Sequence, residues 1–181
     1  MKFERRRGIQ GKDTHKDPTF KKIVEDYLLC QRWTDGRSNP DFKIIDPFAR
    51  NCVWAEPYTN DINPDTKALD HLDALDYLRS IDRIGERFCG AIYDPPFSDR
   101  QNKEIYGESN LYTNPAKIKK IERELGNLIE HGGYIVKAGY NTNFSHDAFE
   151  LVHVAHLYYG GSINDTIISV WLKTCSLEEW I

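Results

Sequence analysis

Little in the chain marks it for a membrane, a metal centre or an oxidising compartment. Its longest apolar runs, such as GAIY and TIISVWL, fall far short of the roughly 20 residues that span a bilayer. The N-terminal stretch MKFERRRGIQGK is charged but lacks the apolar core of a signal peptide, so the expected location is cytoplasmic. The four cysteines (Cys30, Cys52, Cys89 and Cys175) are scattered with no CxxC pair. That excludes both a zinc knuckle and a disulfide framework and leaves reduced thiols. His153 and His156, three apart in a β-rich segment, point to opposite faces of a strand, so no metal site is expected. Internal repeats and low-complexity stretches are absent. Nor is there a large excess of either charge: the net of −4 argues against a surface that traps polyanions over its whole area.

What remains is an ordinary globular composition, with 181 residues, 40% hydrophobic and 29% charged, long enough for one core and most simply a single domain over 1–181. Positive charge is concentrated early, in Lys2, Arg5, Arg6, Arg7, Lys12 and Lys16. Residues 1–16 read as a basic, flexible arm, either touching phosphates or simply solvated.

From Asp17 onward, Phe20, Ile23, Val24, Tyr27 and Leu28 fall on one helical face. FKIID, PYTND at 57–61 and FCGAIYD at 88–94 read as short strands, and KALDHLDALDYLRSI between the last two fits a helix in part. Residues 98–113 form a polar loop without strong periodicity. Asn114-Pro115 opens a helix with Ile118, Ile121, Leu125, Leu128 and Ile129 on one stripe, and Gly132-Gly133 stops it. GYIVKAGY is a further strand. ELVHVAHLYYG and TIISVWLKT, joined by GSIND, suggest a closing hairpin. Strands alternating with helices predict an α/β domain with a mostly parallel sheet, helices on both faces and an antiparallel hairpin at its end.

In such sheets ligands bind beyond the carboxyl ends of the strands. Three predicted strands deliver acids there: Asp46 before Pro47, Phe48 and Ala49; Asp61 before Ile62; and Asp94 before Pro95, Pro96 and Phe97. Two consecutive prolines remove two backbone donors and fix two φ angles, so the stretch after Asp94 is a rigid edge. An acid after the second strand suits a ribose, since one carboxylate can accept hydrogen bonds from both hydroxyls.

This ordered set resembles the S-adenosylmethionine-dependent amino-methyltransferases, and most of all the adenine-specific DNA methyltransferases of bacteriophage type. The resemblance covers roughly residues 40–175. It implies a Rossmann-like methyltransferase domain with a seven-stranded sheet and S-adenosyl-L-methionine as cofactor. DPFARNC resembles the first motif, so Asp46, Pro47, Phe48 and Ala49 would curl around the methionine half of the cofactor. NDINP resembles the second, with Asp61 and Ile62 at the ribose. HLDAL resembles the third, in which Asp73 would accept from the cofactor's adenine amine and the Ala74 backbone would meet the ring. DPPF is the catalytic fourth motif. Arg50 and Asn51 stand where the family commonly has glycines, which let the backbone approach a ligand closely.

The exocyclic amine of adenine is a poor nucleophile because its lone pair is delocalised into the ring. Acceptance of its two hydrogens by Asp94 and the Pro95 carbonyl would localise that pair, with Pro96 stiffening the loop and Phe97 stacking on an extruded base. Methylation of a cytosine ring carbon needs a cysteine nucleophile that its family places after a proline, and no Pro-Cys pair exists here. Ser98, Arg100, Lys103 and Tyr106, in the loop beside the catalytic motif, are the expected substrate contacts. The implied partner is nucleic acid, DNA first, with no membrane. With only about the first forty residues and the 98–113 loop to spare, sequence recognition would be short, relaxed, or supplied by a specificity subunit or a homodimer. Two alternatives stay open: the same fold acting on RNA or a protein amide, and a non-catalytic binding subunit on a degenerate methyltransferase scaffold.

Overall fold

The computed structural model describes residues 1–9, 13–34, 37–38, 42–96, 98–107, 112–160 and 165–174. Phe97, Lys12, Cys175 and part of the GSIND turn lie outside the described residues. In chain order, β1 (Lys2–Arg7) is followed by α1 (Pro18–Tyr27), the ribbon of β2 (Trp33–Thr34) and β3 (Arg37–Ser38), β4 (Ile44–Ile45) and α2 (Ala74–Arg83). Then come β5 (Phe88–Tyr93), α3 (Asp99–Tyr106), α4 (Pro115–Leu128), β6 (Ile129–Gly139), β7 (Phe149–Tyr158) and β8 (Thr166–Lys173).

The main sheet has the order β1-β7-β8-β6-β5-β4. β4, β5 and β6 are parallel, β8 runs antiparallel between β6 and β7, and β1 pairs parallel with β7. All of its strands except β8 therefore end on one rim. Each face is covered: one cluster joins Tyr77, Leu78, Tyr93, Leu125 and Ile135 under α2 and α4, and the other joins Phe20, Ile23, Ile92, Val136 and Ile168 under α1. The helix periodicities produce these clusters directly. Asp17 starts α1 by accepting from the N–H groups of Thr19 (2.8 Å) and Phe20 (3.2 Å), and its second oxygen accepts from Ile9 (2.9 Å), which ties the incoming chain to the helix. Asn114 caps α4 in the same way.

Five expectations are corrected. The sheet has six strands among the described residues, not seven. Residues 57–61 make only single bridges, Asp46 to Thr59 and Asn60 to Asp70, because Pro47 turns the chain away after Asp46 and leaves no further strand for them to pair with. The basic N-terminal segment is not a loose arm: Lys2–Arg7 is an edge strand in full register with His153 to Tyr158. The loop at 98–113 contains the helix α3. Finally, α4 ends at Leu128 rather than at the glycine pair, and β6 runs through it. A Cβ on Gly133 would lie 2.6 Å from the Cys89 carbonyl and 2.6 Å from Ile129 Cγ2. The pair therefore permits a bulge between neighbouring strands rather than a helix stop.

Beneath the rim lies a buried ion pair: Lys137 of β6 donates to Glu122 of α4 at 2.7 Å, with the two side chains 9% and 2% exposed. The remaining Glu122 oxygen accepts from the Ser145 N–H at 2.9 Å, and Lys137 also donates to the Asn143 carbonyl. One pair thus joins strand, helix and the 140–146 loop. Glu122→Ala would strand the Lys137 charge in the interior and is expected to cost about 3–5 kcal/mol. Urea denaturation checks this; a loss under about 1 kcal/mol would mean the pair is effectively solvated.

Candidate cofactor and acceptor site

The ends of β4 and β5 bring two carboxyls to one place. Asp46 is 2% exposed, and its Oδ1 accepts the Phe48 N–H at 3.0 Å, which closes the turn that Pro47 begins. Burial pushes its carboxyl well above the usual range, and Asp94 and Asp61 add repulsion. Asp94 retains some solvent contact, but crowding by protein lifts its carboxyl to about 6, opposed by a hydrogen bond from the Thr14 side chain and by the Arg50 charge. Asp13, His15, Phe48, Arg50 and Cys52 close round these two acids, leaving a cavity of only ≈ 20 Å³. Burial also pushes the Cys52 thiol up to about 12, which leaves it inert.

Arg50 answers the missing-glycine question. Its φ is +48°, the left-handed conformation that glycine adopts freely and that costs another residue about 1 kcal/mol. The turn thus takes the left-handed conformation without glycine. Compensation comes from the N–H groups of Lys67 and Ala68, which both donate to the Arg50 carbonyl at 3.1 Å, and from an ion pair to Asp13 at 3.1 Å.

Asp61, the acid expected after a second strand, is positioned by its neighbour. Asn60 is fully buried; its amide donates to the carbonyls of Pro47 (3.2 Å) and Leu72 (3.0 Å), and its oxygen accepts from Leu72 N–H (2.9 Å). Ala49 N–H donates to the Asn60 carbonyl at 2.9 Å. Asn60 therefore clamps the first loop, the second loop and the start of α2 together. Asp61 beside it is also fully buried, with Oδ1 accepting from Asn63 N–H at 2.9 Å, while His71 Nδ1 lies 3.0 Å from the Asp61 carbonyl. Ile62 packs half-buried against the α2–α4 cluster.

Asp73 caps α2, with Leu75 N–H donating to Oδ1 at 3.0 Å. Burial would raise its carboxyl, but the hydrogen bond and charge of Lys117, 2.6 Å from Oδ2, hold it below the usual range. Tyr112 Oη also donates to Oδ2 at 3.2 Å and accepts from the Ala74 N–H at 3.2 Å. The two groups expected to meet a cofactor's adenine are thus both engaged by Tyr112, which is 1% exposed and packs edge-on to Phe48 at 4.9 Å.

Beyond β5, the buried Pro95 and Pro96 form one wall of a cavity of ≈ 320 Å³, with Tyr93, Lys137, Tyr140 and Asn143 among the others. Phe97 lies outside the described residues. Ser98, Arg100 and Lys103 are not among the described residues lining this cavity. Ser98 begins α3, its carbonyl accepting from Asn102 N–H at 3.0 Å. Arg100 is exposed and pairs along the helix with Glu104 at 2.7 Å, Lys103 is exposed, and Tyr106 ends the helix. Residues missed at the sequence level are Asp13, Thr14, Asn60, Tyr112, Lys117 and the Lys137–Glu122 pair. One signal was available for the first two: a helix capped at Asp17 that packs on the sheet must begin near the rim, so the preceding turn must border it. Among the described residues no group of His, Cys, Asp and Glu is arranged to hold a metal, and no helix is long and apolar enough to cross a membrane.

No protein-family model and no curated protein matches the chain. Among solved structures it is similar to a hypothetical protein of Thermus thermophilus, with 15% identity, 91% of each chain covered and a TM-score of 0.52. It is also similar to TrmN from Thermus thermophilus, with 14% identity and a TM-score of 0.53 over 87% of this chain, which spans about half (49%) of TrmN. At such identities the likeness is one of fold: an α/β domain whose mixed sheet is mostly parallel.

The backbone at Arg50 makes a prediction independent of function. Arg50→Gly and Arg50→Ala both lose the ion pair, but only glycine relieves the left-handed strain. Arg50→Gly is expected to be the more stable of the two by about 1 kcal/mol, and equal thermal midpoints would argue against a strained Arg50.

Proposed function

We propose that the chain transfers a methyl group from S-adenosyl-L-methionine to the exocyclic amine of adenine in DNA. The carrying observation is Asp94-Pro95-Pro96 at the end of β5, with the carboxyl turned toward Asp46 and Arg50 while the prolines wall a ≈ 320 Å³ cavity. A rigid acceptor pair therefore lies between a loop of cofactor-binding type and a space for a planar acceptor.

The donor set fits the cofactor in chemical type. Asp61 is a buried carboxylate after the bridged residues Thr59 and Asn60, suited to a ribose diol. Asp73 and the Ala74 N–H offer an acceptor and a donor 3.2 Å from one hydroxyl, the pairing that an adenine edge also satisfies. When bound, S-adenosyl-L-methionine supplies a methyl group already activated on a sulfonium. The chain's own task is orientation. Asp94 in its ionised form and the Pro95 carbonyl accept the two amine hydrogens and concentrate the nitrogen lone pair on the side facing the first loop. The prolines keep both acceptors in place, so no reorganisation is needed as charge develops. The proton that leaves the nitrogen after transfer has an acceptor in Asp94, whose carboxyl at about 6 can take it and return it to solvent.

Tyr112 favours a second reading, a non-catalytic subunit on this scaffold, because its hydroxyl holds both groups meant for adenine. Calorimetry with S-adenosyl-L-methionine separates the two. Under the enzymatic reading the wild type binds, Asp61→Ala abolishes binding, and Tyr112→Phe, which surrenders the competing hydroxyl, binds more tightly. The same change leaves the Ala74 N–H unpaired in the free protein and should cost about 1–2 kcal/mol of stability. No heat from the wild type would favour the binding subunit.

The pH dependence follows from Asp94. An acid lifted from about 3.9 to about 6 stays protonated in the folded state over that interval. Its ionisation therefore costs stability as pH rises through the window, while catalysis requires the ionised form. Methyl transfer to mixed-sequence DNA should rise with pH through about 6 and then level off. Asp94→Asn should be nearly inactive yet at least as stable as wild type at alkaline pH. Label found on RNA or protein but not on DNA adenine would replace the acceptor, and label unaffected by Asp94→Asn would defeat the mechanism.

A further inference from the structure

The edge strand β1 has two unlike faces. Four of its six residues are Lys or Arg. On the α1 side, Glu4 engages Arg6 at 3.1 Å, Lys2 at 3.7 Å and His153 at 3.0 Å, so one carboxylate offsets part of the charge of that face. Phe3, Arg5 and Arg7 alternate onto the other face, and all three are exposed. Phe3 keeps 66% of its surface in water. The Arg5 guanidinium lies over the Tyr158 ring at 4.7 Å, which holds it flat and extended. Asp165, the carboxylate nearby, already accepts from His156 Nε2 at 2.8 Å and from Tyr159 N–H at 3.2 Å.

We propose that the Phe3–Arg5–Arg7 face of β1, with Tyr158, binds the sugar–phosphate backbone of the nucleic acid whose base is presented at Asp94. Because β1 and β7 run in the same direction as β5, Arg7 ends on the same rim as Asp94. Four strand steps of about 4.8 Å separate the two strands, or about 19 Å. A duplex turn rises about 34 Å, so phosphates within roughly half a turn of the target base reach this edge. The partner's charge is fixed by the strand: two exposed guanidiniums on one face of a chain whose net charge is −4 form a local cationic track. An exposed aromatic beside them matches the mixed cationic and stacking surfaces that hold nucleic acid strands. The inference rests on the proposed acceptor class but assigns a surface distant from the chemistry.

The test is fluorescence anisotropy with a short labelled duplex and the corresponding single strand, read without cofactor across a salt series. Arg5→Ala with Arg7→Ala is expected to weaken binding about tenfold and to lower the slope of log K against log salt by about 2. Arg5→Lys with Arg7→Lys should keep the slope, and Lys2→Ala, on the opposite face beside Glu4, should change little. Unchanged affinity and slope in the double alanine variant would overturn the inference, as would a wild type that binds neither nucleic acid. Loss of binding to phosphatidylglycerol vesicles with nucleic-acid binding intact would also overturn it. Binding without methyl transfer sinks the catalytic reading and leaves this surface standing. Methylation with the double alanine variant binding as wild type does the reverse.

Discussion

A parallel strand buried on both faces can carry polar chemistry only where it ends, and the rest of this protein follows from that constraint. Along β5, Tyr93 points into the cluster under α2 and α4 and Ile92 into the cluster under α1. Gly90 has room for no side chain at all, since a Cβ would meet Leu28 Cδ2 at 2.4 Å and the Tyr134 carbonyl at 2.7 Å. A charge at any of these positions would lose its hydration without a partner. Acids appear as soon as the strands stop, at Asp46 and Asp94, each followed by proline, which ends pairing and sets the next φ. Low polarity behind the rim is also what lifts both carboxyls, so the same burial that stabilises the sheet tunes the chemistry at its edge.

Holding that edge requires polar groups below it, and each is satisfied from a different element. Asn60 joins the first loop, its own loop and the start of α2, and Glu122 with Lys137 joins α4, β6 and the 140–146 loop. Such pairs contribute position more than net stability, because desolvation offsets much of their attraction. Tyr112 belongs to the same logic: one tyrosine hydroxyl serves both an N–H at a helix start and the carboxylate that caps it. Arg50 shows the converse economy, a strained backbone position retained because its carbonyl and guanidinium are both engaged.

Much of the fold was legible because its signals are local. The stripes of α1 and α4, the caps at Asp17 and Asn114, the closing hairpin and the strand-end acids Asp46 and Asp94 follow from side-chain period and from the backbone chemistry of Pro, Asp and Asn. Where the reading failed, the deciding interaction was distant. KFERRR has no apolar alternation to mark it as a strand, and only the open edge of β7 makes it one. Gly132-Gly133 is a sound helix stop by composition, yet Cys89 on the neighbouring strand decides its use. Residues 57–61 look like a strand, but the strand they would pair with ends after Asp46.

The sequence alone determined that Asp46 and Asp94 stand where β4 and β5 end and that proline follows each, because spacing and backbone chemistry are properties of short segments. Tertiary structure alone decided what each of them faces: Tyr112 against Ala74, Asp13 against Arg50, Thr14 against Asp94, Lys137 against Glu122, and the arginines of β1 on the rim of Asp94. Those partners lie far apart along the chain, and no local pattern records a pairing that exists only once the sheet has closed its neighbours around it.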